Sequence, residues 1–167
     1  NINVVMTKLF EKYKDSNIDI EFLIMAIGDL SYDSYPIQIS QFESDIRIAE
    51  QMDKVYFEYG GGGNVYESYT AAWYMGSRHT KLDCWKRGKK GIIITLGDEQ
   101  CNPYLPREAL NRATGDDLQD DVNTSELFKE VIEKYHVYHI DVDHRKWRDT
   151  GINSSWNQYL DDDHFKS

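Results

Sequence analysis

No stretch of this chain is long and apolar enough to cross a bilayer: the longest apolar run is Phe22 to Ile27, and no secretory signal is visible. A membrane role is therefore not expected. Cysteine is scarce. Cys84 and Cys101 stand far apart without paired spacing, which argues against a disulfide framework or a zinc knuckle and leaves ordinary thiols. Positive charge is scarce too: 19 Lys and Arg against 29 Asp and Glu give a net charge of −10, and a general nucleic-acid binder needs a basic face that this balance does not supply. An acidic cytoplasmic protein that binds no nucleic acid is the default these absences leave.

The 167 residues, 40% apolar and 29% charged, suffice for one domain with a real core and are too few for two. We expect a single domain over 1–160 and a polar tail over 161–167, which Asp161-Asp162-Asp163 begins. The chain opens at Asn1 without a Met and already in helical pattern, so a missing upstream segment is expected.

Val5, Leu9 and Tyr13, with Met6 and Phe10 beside them, recur at helical spacing and predict an amphipathic helix ended by Asp15-Ser16-Asn17. Ile18 to Ile27, closed by Gly28-Asp29, has the pattern of a strand buried on both faces. Ile37 to Ser40 alternates like an edge strand, and Phe42 to Val55 returns to helical spacing with Ile46, Ala49 and Met52. Gly60, Gly61, Gly62, Gly63 and Asn64 interrupt regular structure before a predicted helix from about Val65 to Arg78, with Val65, Tyr69, Ala72 and Gly76 on its buried face.

Gly91 to Leu96 predicts a second fully buried strand, closed by Gly97-Asp98-Glu99. Asn123 with Glu126 resembles a capping box for a helix carrying Leu127, Val131, Ile132 and Tyr135. A strand over Val137 to Val142 and a last helix over Ile152 to Leu160 follow. Strands separated by helices imply an α/β fold: three layers, a mostly parallel sheet with helices on both faces, and one antiparallel edge strand. In such sheets ligands sit outside the carboxyl ends of the strands.

Asp29 and Asp98 fall at that edge, and the glycine loop and Glu67 should begin a helix there, so carboxylates converge. Like charges in one crevice are tolerated when protonated, solvated or neutralised by a cation, and oxygen ligands favour magnesium, manganese or calcium over zinc. Acidic residues at strand ends can equally be solvated and offset a helix dipole. Phosphate binding by the four glycines wants a following Lys and hydroxyl, whereas Asn64-Val65-Tyr66-Glu67 adds a carboxylate. His136, His139, Asp141, Asp143 and His144 suggest a metal cluster, but strand alternation puts only His139, Asp141 and Asp143 on one face, which favours a structural or solvated reading. Arg78, Lys81, Lys86, Arg87, Lys89 and Lys90 around Trp85 read as a solvated basic loop. No cysteine has a base beside it and no serine sits in a nucleophile elbow, so an enzyme is not expected.

Gln41-Phe42-Glu43-Ser44-Asp45-Ile46-Arg47-Ile48, Gly60 to Asn64 with Glu67-Ser68-Tyr69, Arg78-His79-Thr80, Lys86-Arg87-Gly88-Lys89-Lys90-Gly91 and Gly97-Asp98-Glu99 resemble a bacterial and phage subgroup of von Willebrand factor A domains. This resemblance spans most of Asn1 to Leu118 and rests on element order beyond. It implies a Rossmann-like fold and a metal-ion-dependent adhesion site, in which a partner's acidic residue completes the shell of Mg2+ or another divalent cation. Asp98 matches the carboxylate after the fourth strand. The loop that supplies a threonine in the family corresponds to Gly60 to Ser68, where no threonine stands, so Asn64, Glu67 or Ser68 must substitute or the ligand is lost; Asp29 is the further carboxylate that the strand-end reading adds. The family's first strand and its Asp-x-Ser-x-Ser loop are absent. A sheet lacking a central strand leaves unpaired backbone groups, so an upstream segment, a second chain or a rearranged strand order is expected to fill the gap.

The first function this reading supports is a protein-binding module, working with another protein and, by resemblance, a MoxR-type ATPase. The alternative is a metal-free structural or virion-associated assembly protein. A nucleotide-binding enzyme comes third.

Overall fold

A computed structural model describes residues 2–16, 18–58, 66–142 and 151–166. Helix α1 (Ile2–Tyr13) buries Met6 and sets Phe10 edge-on to Phe22 at 5.1 Å, whereas Val5, expected on the buried stripe, is exposed. Strand β1 (Met25–Ile27) pairs antiparallel with β2 (Ile37–Ile39), in the register Met25 to Ile39. This is the antiparallel edge strand expected from sequence, but the strand predicted from Ile18 is shortened and only half-buried, with Phe22 bridging to Glu43 before it. Helix α2 (Arg47–Met52) is also shorter than predicted; Ile48 is its buried anchor, and Ile46 faces solvent.

Strand β3 (Tyr66–Glu67) replaces the start of the helix predicted from Val65. Helix α3 (Ala71–Tyr74) begins only after Thr70 and widens at once into a π-helical turn, Met75–His79. The reason is tertiary. Leu30 N donates to Ser68 Oγ at 3.0 Å, and Thr70 N donates to Asn102 Oδ1 at 3.2 Å, so neighbouring chain claims these groups before an α-helix can. A 3₁₀ turn, Asp83–Arg87, ends at Gly88, whose φ of 64° is the left-handed region that glycine adopts without strain.

Strand β4 (Gly91–Gly97) is followed by the short strands β5 (Gln100–Cys101) and β6 (Tyr104–Leu105), then by helix α4 (Arg107–Thr114). Strand β7 (Val122–Asn123) leads into helix α5 (Thr124–Lys134), where Asn123 Oδ1 accepts from Ser125 N and Glu126 N as its sequence predicts. Strand β8 (Tyr135–Asp141) continues without a loop, and helix α6 (Ile152–Trp156) precedes strand β9 (Phe165–Lys166). The stretch read as a polar tail thus contributes a strand, because Phe165 is buried against the core.

Strands β4, β8 and β9 form one parallel sheet in that order; β3 pairs parallel with β5, and β6 antiparallel with β7. The fold is α/β with parallel strands. Its core gathers Trp73, Trp156, Tyr74, Leu105, Leu110, Leu127 and Val131, all fully buried, so α3, α4, α5 and α6 meet around one hydrophobic centre. The opposite face of β4 is open among the described residues: Ile92, Ile94 and Leu96 are 65%, 54% and 47% exposed. This corrects the expectation of a strand buried on both faces. Ile20 lies outside any strand, so it does not pair beside Ile92, and among the described residues β4 has a strand partner, β8, on one edge only. No described helix is long and apolar enough to cross a membrane.

Candidate functional site at the strand ends

The carboxyl ends of β1 and β4 are held by two adjacent residues. Ser68 Oγ accepts from Leu30 N at 3.0 Å, and the Tyr69 hydroxyl accepts from Asp98 N at 3.1 Å and Glu99 N at 3.3 Å. Gly97 lets this happen: a Cβ there would stand 2.2 Å from the Tyr69 hydroxyl oxygen, so only glycine allows the ring under the strand end. Burial pushes the Tyr69 phenol up to about 12, which keeps it a neutral hydrogen-bonding group.

Around this clasp the carboxylates gather. Asp29 is buried; its Oδ1 accepts from Ser31 N at 2.7 Å, and its own N–H donates to Asp33 Oδ2 at 2.8 Å. Glu67 lies beside Cys101 in the β3–β5 pair. Its carboxyl is raised to about 7, first by burial and then by the charges of Asp29, Asp33, Glu99 and Asp98. Asp29, Asp33, Glu99 and Asp98 thus each act electrostatically on Glu67. Asp33 and Glu99 were not singled out from sequence, although Asp33 stands one turn after the first Gly-Asp and Glu99 follows the second.

The other expected ligands divide. Ser68 is buried, and its hydroxyl is engaged by Leu30 N. Gly60, Gly61, Gly62, Gly63 and Asn64 lie outside the described residues. Oxygen donors suit a hard divalent cation, but no three acidic, His or Cys side chains among the described residues are arranged to hold an ion. The described residues by themselves therefore do not form a coordination set.

Behind the rim lies a wall of buried aromatic rings. His139 is fully buried, stacked on Trp156 with ring centroids 3.6 Å apart, and its Nδ1 lies 2.8 Å from Thr95 Oγ1. Thr95 Oγ1 also lies 3.2 Å from Tyr138 O, and His139 Nε2 is without a partner among the described residues. Burial drives the imidazole down to about 4. His139 is thus a neutral core group, as strand alternation suggested, and His136 is exposed; Asp143 and His144 lie outside the described residues. Trp156 Nε1 donates to Glu99 O at 3.2 Å and ties this wall to the rim.

The basic loop is largely committed to structure. Arg78 pairs with Glu130 at 2.9 Å, Lys90 Nζ donates to Ile132 O at 2.6 Å, and Trp85 Nε1 donates to Lys134 O at 3.2 Å. Cys84 and Cys101 are free thiols, and burial raises Cys101 far above the neutral range, which leaves it without a nucleophilic thiolate. An open cleft of about 460 Å³ between Phe10, Tyr13, Ile18 and Ile20 lies on other residues than the rim.

No protein-family model, curated protein or solved structure matches the chain.

Proposed function

We propose that the chain is a protein-binding module rather than an enzyme, and that it meets its partner at the carboxyl edge of its sheet. The observation that carries this reading is Glu67, a half-buried carboxyl raised to about 7 by its burial and by four neighbouring acids. Ionised Glu67 is disfavoured by its burial and its acidic neighbours, and a partner that places positive charge beside it gains free energy on binding. A phosphate has the wrong sign for this site, which disfavours a nucleotide.

A three-layer von Willebrand factor A-like arrangement is the fold that this proposal adopts. The antiparallel β1–β2 pair and the parallel β4–β8–β9 sheet support it. In that family the neutralising group is a divalent ion completed by a partner's carboxylate, and a MoxR-type ATPase is the partner class the resemblance brings. The alternative is a metal-free structural or virion-associated assembly protein that keeps the fold without an ion.

Two measurements on the full chain decide. Titration with magnesium or manganese that gives no heat and no melting shift beyond that of Asp98→Ala assigns the metal-free form; saturable heat lost in that variant assigns the ion. Carbodiimide coupling to a lysine-rich probe peptide, mapped by mass spectrometry, should concentrate on Asp33, Glu67, Asp98 and Glu99. Coupling spread evenly over the exposed acids would remove the rim as the binding surface.

A further inference from the structure

Strand β4 bounds its sheet, and alternation along its backbone shows what it presents there. Gly97 O accepts from Val142 N at 2.9 Å, so the amide groups of Gly91, Ile93, Thr95 and Gly97 serve β8. Those of Ile92, Ile94 and Leu96 point the other way, and among the described residues no backbone partner meets them. The sequence treats the two edges of this sheet differently. On the far side β9 is two residues long and carries Lys166, which blunts that edge. On the near side β4 runs for seven residues, uncharged, without proline and in unbroken register with β8, the kind of edge that accepts another strand.

The residues of β4 also select that strand. Lys89-Lys90-Gly91-Ile92-Ile93-Ile94-Thr95-Leu96-Gly97-Asp98-Glu99 complements itself when read backwards about Ile94. Laid antiparallel on a copy of itself, Gly91 faces Gly97, Ile92 faces Leu96, Ile94 faces Ile94, and the lysine end lies opposite the acidic end. This register suits the backbone, because Ile92, Ile94 and Leu96 all carry outward groups and each facing pair can exchange both of its hydrogen bonds. Apolar side chains then meet across the join.

Charge fixes the direction. Lys90 Nζ is held at Ile132 O, which leaves the exposed Lys89 as the lysine that meets the acidic end. Whatever Asp98 and Glu99 bond within their own chain, a parallel copy would set lysine beside lysine and acid beside acid, and like charges in register disfavour it. We infer that β4 is a self-association strand: two copies of the chain join antiparallel along it, about a twofold axis at Ile94, and double the three-stranded sheet.

Sedimentation of the full chain from micromolar to millimolar concentration tests this. Wild type should pass from monomer to dimer, and in the dimer the amides of Ile92, Ile94 and Leu96 should exchange at least about tenfold more slowly than in the dilute monomer. Ile94→Pro removes an outward N–H and spares the β8 ladder, so it should abolish the dimer while the dilute chain still melts cooperatively. Ile94→Lys sets two like charges face to face on the axis, which should weaken the dimer about tenfold or more, and it probes the same pair should the proline variant fail to fold. Lys89→Glu should weaken the dimer about fivefold at low salt, and added salt should narrow that difference.

The register has its own readout. Cysteine at 94 would stand about 5.5 Å from its copy across the pair, inside the roughly 4.4–6.8 Å that a disulfide spans. Oxidised Ile94→Cys should therefore link two chains above the wild-type background, whereas Ile92→Cys should link only when mixed with Leu96→Cys. A monomer at every concentration would overturn the inference, as would a dimer that Ile94→Pro and Ile94→Lys leave equally tight. Slow exchange of Ile92, Ile94 and Leu96 already in the dilute monomer would overturn it too, since another part of the chain would then hold the edge. Links from Ile92→Cys alone, with none from Ile94→Cys, would remove the twofold axis at Ile94 and the inference with it.

Discussion

Burial acts on His139 and Glu67 with opposite signs, because it disfavours the charged form of each. His139 falls from 6.5 to about 4, so between those values the unfolded chain takes up a proton that the native state refuses. Stability is then full above pH 6.5 and falls as pH drops through 4, by about 3 kcal/mol in all. A His139→Phe variant keeps the stack on Trp156 and leaves Thr95 its bond to Tyr138 O. Its urea midpoint should lose the wild-type slope between pH 6.5 and 4, and an unchanged slope would show that the imidazole is already charged in the fold. Glu67 rises from 4.5 to about 7, so its contribution is full below pH 4.5 and is lost as pH rises through 7. Glu67→Gln removes the ionised form and should stabilise the chain at pH 8 by about 1 kcal/mol, a figure discounted for partial exposure, which melting reads as about 2–4 °C. Below pH 4.5 the two chains should melt together.

Helix α5 and the turn before α3 show why some elements are legible from the chain and others are not. Asn123, Glu126, Leu127 and Val131 encode α5 locally: the cap, the acidic first turn and the apolar stripe all agree, and the structure follows them. Asn123→Ala should therefore cost about 1 kcal/mol in thermal unfolding, and a loss below a few tenths would mean that water replaces the cap. The helix after the glycines looked equally sound, with Tyr69, Ala72 and Gly76 at the right spacing. Its first turn is instead a strand and a clasp, because Ser68, Tyr69 and Thr70 are held by Leu30, Asp98 and Asn102 from elsewhere in the chain. Periodicity cannot report such partners. The acidic positions were legible for a related reason: Gly28-Asp29 and Gly97-Asp98 each follow directly on a strand, β1 or β4, and the adjacent Ser68 and Tyr69 bond the chain just beyond each. Gly97 makes the clasp testable, since an added methyl would strike the Tyr69 hydroxyl; Gly97→Ala should cost about 1–3 kcal/mol through displacement of that ring.

An unbroken apolar run says that a strand wants cover on both faces, and it does not say what supplies the cover. Gly91 to Leu96 was read that way, yet the core packs one side only: Thr95 and Val137 are buried, while Ile92, Ile94 and Leu96, with Ile140 and Val142 beside them, remain exposed. A contiguous apolar face of this kind marks an interaction surface more often than it marks a fold's own interior. The consequence separates the two faces energetically. Ile94→Thr keeps a β-branched strand former and removes apolar area that the isolated chain never buries, so it should change stability by no more than about 0.5 kcal/mol. Val137→Ala, on the packed side of the neighbouring strand, should cost about 2 kcal/mol, because it leaves a void in a filled core. Paired Ile92→Thr and Ile94→Thr changes should also lower binding of an apolar fluorescent dye, with the melting curve unmoved. Were Ile94→Thr instead as damaging as Val137→Ala, the open face would have to be buried in the free chain, and cover supplied by a partner would no longer be required.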